Sequence, residues 1–245
     1  MTLKVAIIGS KGRMGQTLLS IANENDATVV IEKDVGDPLT KGLETADVII
    51  DFSFHKVTPE VARKAAELNI PIVLGTTGHS ESEKEVIIEA SKSIPIVWAG
   101  NYSVGVSLLF YLTEMAAGVL GNAYDPEILE FHHRHKKDAP SGTALNLAES
   151  IQAADGFKSA KLQNARSGES GERSREEIAL HAIRGGEIVG EHTVFFIGEN
   201  DRIELTHKAS DRGIFASGAY RAAHWVKNQN PGVYSMRDVL GFKSK

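Results

Sequence analysis

Residues 4–22 have the sequence KVAIIGSKGRMGQTLLSIA, in which an apolar run, three glycines and an apolar helical pattern follow one another. The run at residues 4–8 is typical of the buried first strand of a parallel sheet. Residues 17–22 have apolar side chains at the spacing of an amphipathic helix. A strand, a glycine loop and a helix in this order predict the phosphate-binding turn of a dinucleotide-binding domain.

The glycines of this loop are Gly9, Gly12 and Gly15, so the spacing is G-x-x-G-x-x-G and not the usual G-x-G-x-x-G. The usual spacing puts one glycine at the tight turn and another where the backbone approaches a pyrophosphate. Because the spacing differs, the motif alone is also compatible with a plain tight turn between a strand and a helix. Other segments of the chain are needed to distinguish a dinucleotide-binding loop from a plain turn.

A second strand is predicted at residues 28–31, and it ends in Glu32, Lys33 and Asp34. An acidic side chain about twenty residues beyond the glycine loop is placed to accept hydrogen bonds from an adenosine ribose. We assign this role to Glu32, with Asp34 as the alternative. Lys33 either binds the 2′-phosphate of NADPH as a flexible point charge or is a solvated loop lysine.

The chain then alternates apolar runs with helical patterns. The runs at residues 47–53, 70–74 and 94–99 predict strands, and residues 57–68 and 82–91 predict helices. Regular alternation predicts the α/β class, with a Rossmann-like, doubly wound parallel sheet that binds its ligand at the carboxyl ends of the strands. Four polar residues fall at such ends, namely Ser53, Thr76, Thr77 and Asn101.

Beyond Asn101 the pattern changes to that of a second α+β domain with a mixed or antiparallel sheet. Residues 104–120 predict a long helix with a stripe facing the core, made of Leu108, Leu109, Leu112, Met115, Ala116 and Val119. Residues 164–177 are polar and predict a mobile loop. Residues 178–190 predict a hairpin that turns at Gly185-Gly186, residues 193–207 predict a second hairpin, and residues 214–226 predict a helix.

The densest chemistry lies in residues 127–143, EILEFHHRHKKDAPSGT. Apolar side chains predict a strand that stops where six cationic or titratable residues begin at His132. A helix follows, capped by Ser141 or Thr143. A helix N-terminus beside a cationic cluster predicts an anion site. A solvated loop and a zinc site formed by His132, His133 and His135 are the alternatives, although the chain has no cysteine to complete a structural zinc tetrad.

The composition of the 245-residue chain narrows the function classes. The net charge of -5 argues against general nucleic-acid binding, because that requires a basic surface. The absence of cysteine excludes disulfides and thiolate chemistry. The N-terminus has no hydrophobic signal region and no apolar run approaches membrane-spanning length, so we expect a cytoplasmic protein without a membrane or a metal.

Seven segments, in order along nearly the whole chain, resemble the signatures of the 4-hydroxy-tetrahydrodipicolinate reductase (dihydrodipicolinate reductase) family. They are GSKGRMG (9–15), DFS (51–53), GTTG (75–78), AGNYSVGV (99–106), HHRHKKDAPSGTA (132–144), RGGEIVGEHTVFF (184–196) and ELTHKAS (204–210). The resemblance implies NADH- or NADPH-dependent reduction of a cyclic dicarboxylate in the diaminopimelate route to lysine.

The same resemblance implies roles for individual residues. His132 is the expected proton donor and acceptor, and Lys136 a second proton donor. The expected substrate contacts are His133, Gly142 and Thr143. The expected nucleotide contacts are Gly9, Ser10, Lys11, Gly12, Arg13, Met14, Glu32, Gly75, Thr76, Thr77, Ala99, Gly100, Asn101 and Tyr102. Many family members have an arginine shortly after the D-F-[ST] segment. Here Phe54 and His55 stand in its place, so a phosphate contact from that loop is in doubt.

The resemblance also implies that the last helix returns to the nucleotide domain. The expected domains are therefore residues 1–103 with 214–245 for the nucleotide, and residues 104–213 for substrate binding and oligomerisation. A homotetramer assembled through the second sheet is implied as well. The alternatives are another two-domain NAD(P)-dependent reductase, such as an amino-acid dehydrogenase, and a non-catalytic NAD(P)H sensor.

Overall fold

The computed structural model describes residues 2–39 and 41–242. The chain divides into two compact units, Met1–Val104 with Arg212–Lys245, and Gly105–Asp211. The predicted limits placed Val104, Arg212 and Gly213 in the second domain, whereas they belong to the first unit. The predicted nucleotide domain also includes residues 1, 40 and 243–245, which lie outside the described residues.

The secondary structure confirms the predicted alternation in the first unit. The strands are β1 (Leu3–Ile8), β2 (Ala27–Lys33), β3 (Val48–Asp51), β4 (Ile72–Leu74), β5 (Pro95–Trp98), β6 (Asp125–His132), β7 (Lys161–Asn164), β8 (Glu177–Arg184), β9 (Gly190–Ile197), β10 (Arg202–Ala209) and β11 (Gly232–Tyr234). The helices are α1 (Arg13–Ile21), α2 (Thr58–Leu68), α3 (Glu81–Ser91), α4 (Val104–Leu120), α5 (Gly142–Gln152), α6 (Gly213–Val226) and α7 (Met236–Val239). The sequence patterns did not predict β7, β11 or α7.

The sheet of the first unit has the strand order β11-β5-β4-β3-β1-β2, and every pairing in it is parallel. Val5 and Ile7 face a core that includes residues of α1 and α6, while Ala6 and Ile8 face a second core with residues of α2 and α3. Because both faces are covered, the strands need continuous apolar runs. This arrangement confirms the doubly wound fold and leaves the carboxyl ends of the strands for ligands.

The sheet of the second unit is mixed, with the order β10-β9-β6-β8-β7. β6 pairs in parallel with β8 and antiparallel with β9, so β6 lies between β8, the first arm of the predicted hairpin, and β9, which begins at the last predicted hairpin residue, Gly190. The amide of Gly185 donates to the carbonyl of His132, and the amide of Arg134 donates to the carbonyl of Gly186. The two glycines therefore cross the end of β6, and the predicted hairpin at residues 178–190 is wrong. The second predicted hairpin is confirmed as β9 and β10.

One face of the second sheet packs against α4 and α5. On α4 the buried side is centred on Leu109, Thr113 and Ala117, which follow one another at intervals of four residues. The predicted core stripe is therefore wrong for four of its members, Leu108, Leu112, Met115 and Val119, which are exposed. The helical period correctly predicted that the side of α4 with Leu109 faces the core, but it also included neighbouring residues that do not contact the sheet.

Residues Val104–Ala123 form a helical segment that is long and apolar enough, by length and composition, to cross a membrane. The expectation that no apolar run approaches that length is therefore wrong. The finding is weak evidence for a membrane, because core helices of soluble proteins meet the same criteria. Leu109 and Ala117 of this segment are part of the core of the second unit.

Candidate active site

His132 is the last residue of β6, and the alternation of the strand decides its environment. The residues at alternate positions, Pro126, Ile128, Glu130 and His132, are buried, while the intervening ones are partly exposed. Successive side chains of a strand point to opposite faces, so Glu130 and His132 share one face. His132 is only 8% exposed and lies at the carboxyl end of β6, so it can contact a small molecule while it is largely shielded from water.

Glu130 has a buried carboxylate that connects three parts of the second unit. Its Oε1 accepts hydrogen bonds from the Ser141 amide at 3.0 Å and from Nη2 of Arg184 at 2.8 Å. Its Oε2 lies 3.2 Å from Nδ1 of His132. Burial opposes ionisation of Glu130, but these hydrogen bonds outweigh it and hold the pKa of the carboxyl well below its usual value. The carboxylate is therefore ionised over the whole working range of pH.

His192 on β9 completes the buried cluster. Its Nε2 lies 3.2 Å from Oγ of Ser141 and 3.6 Å from Oε2 of Glu130. Its ring packs edge-on against the His132 ring, with 5.1 Å between centroids. Burial lowers the pKa of His192 in spite of the neighbouring carboxylate, so this imidazole is neutral near pH 7.

The helix start predicted after the histidine run is confirmed. Ser141 is the N-cap of α5, and its Oγ accepts the amide of Ala144 at 3.2 Å. Gly142 is exposed and Thr143 is partly exposed at the first positions of the helix. Because the first amides of a helix carry positive partial charge, this end of α5 can hold a carboxylate.

The cationic residues between His132 and α5 lie in a turn. The Lys136 amide donates to the His133 carbonyl, and the Lys136 ammonium contacts Oδ2 of Asp138 at 2.8 Å. His135 is mostly exposed, and its ring lies 6.1 Å from that of His133.

The residues that have metal-ligand spacing in the structure are not the three histidines that the sequence suggested as a zinc site. Among the described residues, Glu130, His132 and His192 offer ligand atoms within 4.8 Å of one another. His133 and His135 are not part of this group. The zinc alternative was based on three histidines that are close together in the sequence. In the structure, the alternation of β6 instead puts His132 on the same face as Glu130.

The glycine loop has the close contacts that a dinucleotide turn requires. Gly9 has a φ of +84°, and a Cβ atom there would lie 2.5 Å from the Phe52 carbonyl oxygen. A Cβ atom on Gly15 would lie 2.2 Å from the Gly9 oxygen. The amides of Gly9 and Ser10 donate to the Lys33 carbonyl, which fixes the loop to the end of β2. These contacts favour the nucleotide interpretation of the G-x-x-G-x-x-G spacing.

Two adjoining cavities lie at this loop. The first has a volume of about 450 Å³ and the second about 470 Å³, and they share Gly12 and residues 52–54. Acidic side chains line the first cavity, namely Asp34, Asp37 and Glu60, and none of its described lining residues is basic. The second cavity is lined by Arg13 and Arg212 together with residues 75–77. Arg212 was not predicted, since no motif surrounds it.

Of the two candidates for the ribose contact, Asp34 lines the first cavity, whereas Glu32 is exposed on β2 and is not in its lining. Oδ2 of Asp34 accepts the Lys11 amide at 2.6 Å, and Oδ1 accepts the Val35 amide at 2.7 Å. These two backbone hydrogen bonds lower the pKa of Asp34. Asp34 therefore fixes the glycine loop, and the ribose contact of Glu32, with Asp34 as the alternative, stays a prediction.

Tyr102 is buried, and its hydroxyl donates to the carbonyls of Leu74 and Val97. Its side chain therefore supports the ends of two strands, and only its backbone is left for a nucleotide contact.

Asp51 has a similar supporting role that the sequence did not indicate. Its buried carboxylate accepts hydrogen bonds from the Ser53 amide and from the hydroxyls of Thr58 and Thr76. Burial raises the pKa of Asp51.

A second carboxylate cluster lies on the opposite, partly exposed face of β6. Glu127 pairs with Arg166 at 3.1 Å, with Nε of Arg173 at 2.9 Å and with His181 at 2.6 Å. Arg166 also pairs with Glu177. Burial opposes ionisation of Glu127, but the paired side chains outweigh it and lower its pKa. The two arginines tie the predicted loop of residues 164–177 to the strand.

Comparison with known proteins agrees over both units. Residues 3–102 match the family model "Dihydrodipicolinate reductase, N-terminus", and residues 105–240 match "Dihydrodipicolinate reductase, C-terminus". The chain is 48% identical over 241 residues to the 4-hydroxy-tetrahydrodipicolinate reductase of Akkermansia muciniphila, covering 98% of each chain. It is 44% identical to the enzyme of the same name from Magnetococcus marinus, over 99% of this chain and 100% of that one.

Among solved structures, the fold resembles a dipicolinate-bound dihydrodipicolinate reductase from Paenisporosarcina sp. TG-14. The TM-score is 0.78 at 26% identity, with 96% of this chain and 98% of that chain covered. A DAP dehydrogenase from C. glutamicum has a TM-score of 0.56 at 16% identity, covering 100% of this chain and 97% of that one. At that identity the second likeness concerns the fold alone.

Proposed function

Because the chain belongs to the dihydrodipicolinate reductase family, we propose that His132 is the proton donor of its NAD(P)H-dependent reduction. The activity of the family is that of 4-hydroxy-tetrahydrodipicolinate reductase, an oxidoreductase step of lysine and diaminopimelate biosynthesis. The observation that carries the assignment is a histidine buried at the end of β6, in a cluster that includes the N-cap of α5.

The first unit fits a nicotinamide dinucleotide. Its glycine loop leaves no room for a Cβ atom at Gly9 or Gly15, and two adjoining cavities begin there. We place the adenosine in the cavity lined by Asp34, whose carboxylate can accept hydrogen bonds from the ribose hydroxyls. The pyrophosphate fits beside Arg13 and Arg212 at the start of α1, where helix amides and cations favour an anion. When bound, the cofactor supplies the hydride.

The residues of the second unit supply the proton and hold the substrate. Adding a hydride to a conjugated carbon–nitrogen system leaves an electron pair that must be protonated. His132 is suited to this because imidazole exchanges protons near neutral pH. Lys136 is the proposed second proton donor, held by Asp138 at 2.8 Å. Removing a general acid typically costs about a hundredfold to ten-thousandfold in rate.

A small dicarboxylate is the proposed substrate, in keeping with the dipicolinate bound to the Paenisporosarcina enzyme. One carboxylate would be bound by the amides of Gly142 and Thr143 at the start of α5, with His133 as a further contact. The cations Arg134 and Lys137 are exposed and act through general electrostatic attraction.

The second sheet leaves one face partly uncovered, with Ile183 and Ile197 exposed on its strands. We propose that a homotetramer forms through this sheet, because apolar faces and open strand edges are normally covered. We also propose that the enzyme works in the cytoplasm, where NAD(P)H is available.

An assay that follows NAD(P)H absorbance with freshly made 4-hydroxy-tetrahydrodipicolinate tests the proposal. Consumption that depends on this substrate is expected. Activity with a 2-amino acid and NAD(P)⁺ would instead indicate an amino-acid dehydrogenase. Nucleotide binding with no turnover of either substrate would indicate a sensor.

A further inference from the structure

We propose that Glu130 is a positioning residue, whose carboxylate holds the Nδ1–H of His132 and thereby leaves Nε2 as the nitrogen that exchanges a proton with the substrate. The inference rests on the proposed role of His132. It adds a second residue, on the same strand and outside the predicted site, to the machinery of proton transfer.

The geometry of the two side chains supports this pairing. Oε2 of Glu130 and Nδ1 of His132 are 3.2 Å apart. Both atoms are shielded from solvent, and within the part of the chain that the structure describes neither makes a hydrogen bond of regular geometry, so each is the nearest available partner for the other. A buried polar atom left without a partner costs about 1–3 kcal/mol, so the two atoms have a strong reason to share a proton. Because β6 puts the two residues on one face, the contact follows directly from the strand geometry.

The direction of the hydrogen bond follows from the other contacts of the carboxylate. Arg184 and the Ser141 amide both donate to Oε1, which keeps Glu130 ionised. An ionised carboxylate can only accept hydrogen bonds, so the shared proton is on Nδ1 of His132. In neutral imidazole a proton on Nδ1 leaves Nε2 bare and able to accept one.

Two neighbours restrict the His132 ring further. The His192 ring packs edge-on against it. At Gly190, a Cβ atom would lie only 3.1 Å from Nε2 of His132. The ring is therefore confined between β9 and the carboxylate, in the way that a buried acid orients the histidine of other general acid–base pairs.

The same three side chains could be interpreted as a metal site, because Glu130, His132 and His192 have ligand spacing. Arg184 argues against this, since its guanidinium lies 2.8 Å from the same carboxylate and would repel a divalent cation. Hydrogen-bond positioning is therefore the interpretation that the contacts favour, and metal binding is an outcome of the test.

The test compares Glu130→Gln with Glu127→Gln in the full-length protein. Both residues are on β6, and both pair with a histidine and an arginine, but only Glu130 contacts His132. We expect Glu130→Gln to lower kcat at least about tenfold while the KM for NADH changes less than about twofold, because part of the general-acid contribution is lost. Glu127→Gln should keep kcat within about twofold of the parent. Equal kcat values for the two variants would overturn the proposal.

Solid-state ¹⁵N NMR of histidine-labelled parent protein gives a readout that does not depend on activity or on the folding of a variant. At a pH of about 9, where histidines are generally neutral, the signal absent from His132→Gln should show a protonated Nδ1 and a bare Nε2. The reverse tautomer in the parent would refute the positioning role, whatever the kinetics of the variants.

Two controls complete the design. If His132→Gln retains full activity while the parent shows the expected tautomer, His132 is not the proton donor. The contact between Glu130 and His132 would still be supported by the tautomer. Zinc that copurifies at one ion per chain, together with loss of activity in EDTA, would replace the positioning proposal with a metal site.

Discussion

The two sheets of the molecule differ in what covers their faces. In the first unit both faces of the parallel sheet are packed against helices, and Val5 and Ile8 lie in different cores. In the second unit the residues of one face, such as Val194 and Phe196, lie in a core, while their neighbours on the other face are partly exposed.

This difference explains where each unit can act. A sheet covered on both faces has only its strand ends left for ligands, and the glycine loop and both cavities of the first unit lie there. The second sheet has both a strand end, where His132 lies, and a free face. The free face carries the Glu127 cluster and apolar side chains, so it suits association better than chemistry.

The largest expected effect tests the strand end of the second sheet. His132→Gln should lower kcat by about a hundredfold to ten-thousandfold, because it removes the general acid. Binding of NADH, followed by fluorescence titration, should stay nearly unchanged, since the cavities of the nucleotide site lie in the first unit. A kcat within about threefold of the parent would contradict the assignment of proton transfer to the second unit.

Two adjacent phenylalanines on β9 test the two faces of the second sheet. Phe196 is fully buried, whereas Phe195 points to the opposite face, with the Arg202 guanidinium 5.8 Å from its ring centroid. Phe196→Ala should lower the free energy of unfolding by about 3–5 kcal/mol because it leaves a cavity. Phe195→Ala should cost much less of the subunit's own stability.

Light scattering on Phe195→Lys extends this comparison. We expect a tetramer for the parent at micromolar concentration and smaller species for the variant, because burying a lysine in an interface carries a desolvation cost even beside its cross-strand neighbours Glu127 and Glu204. A parent that is monomeric at that concentration would contradict association through the free face.

The Glu127 cluster tests whether the free face contributes stability without chemistry. Glu127→Gln should cost about 1–3 kcal/mol at pH 7, since it leaves partly buried arginines with a weaker partner. The pKa of Glu127 is lowered in the folded protein, so its contribution is present above the unfolded value of about 4.3 and is lost as the pH falls below it. The difference between parent and variant should therefore shrink as the pH falls from about 5 to about 3, in denaturant titrations at each pH.

Glu199→Gln is the control for this experiment. Glu199 is mostly exposed and lies 3.8 Å from Arg175, so its replacement should change stability by less than about 0.5 kcal/mol at any of these pH values. An equal effect of the two substitutions would show that the cluster is no more than a surface ion pair.

The smallest expected effect concerns the first unit. We predict that both cofactors work, with NADH at least as good as NADPH, because the described lining of the cavity beside Asp34 includes three acids and no base. Lys33→Ala should raise the KM for NADPH a few-fold, more at low than at moderate salt, and leave that for NADH unchanged. Equal changes for the two nucleotides would mean that Lys33 does not bind the 2′-phosphate.

The sequence predicted the parallel sheet almost completely, because a strand buried on both faces requires an uninterrupted apolar run. It also predicted a helix capped by Ser141 or Thr143, and local hydrogen bonding makes Ser141 the cap. Short or exposed elements such as β7 and β11 carry no comparable signal, and they were missed. The hairpin at Gly185-Gly186 was wrong because a glycine pair fixes a turn and not the strand that will lie beside it.

In the candidate site the residue types and the order of the motifs were determined by the sequence alone. His132, Lys136 and the start of α5 are neighbours along the chain, so their proximity needs no tertiary contact. Only the tertiary structure decided that Arg184 and His192 join Glu130 at the buried end of β6. Those contacts join residues more than fifty positions apart, and the pairing of β6 with β8 and β9 that creates them depends on burial in a shared core and not on any local pattern.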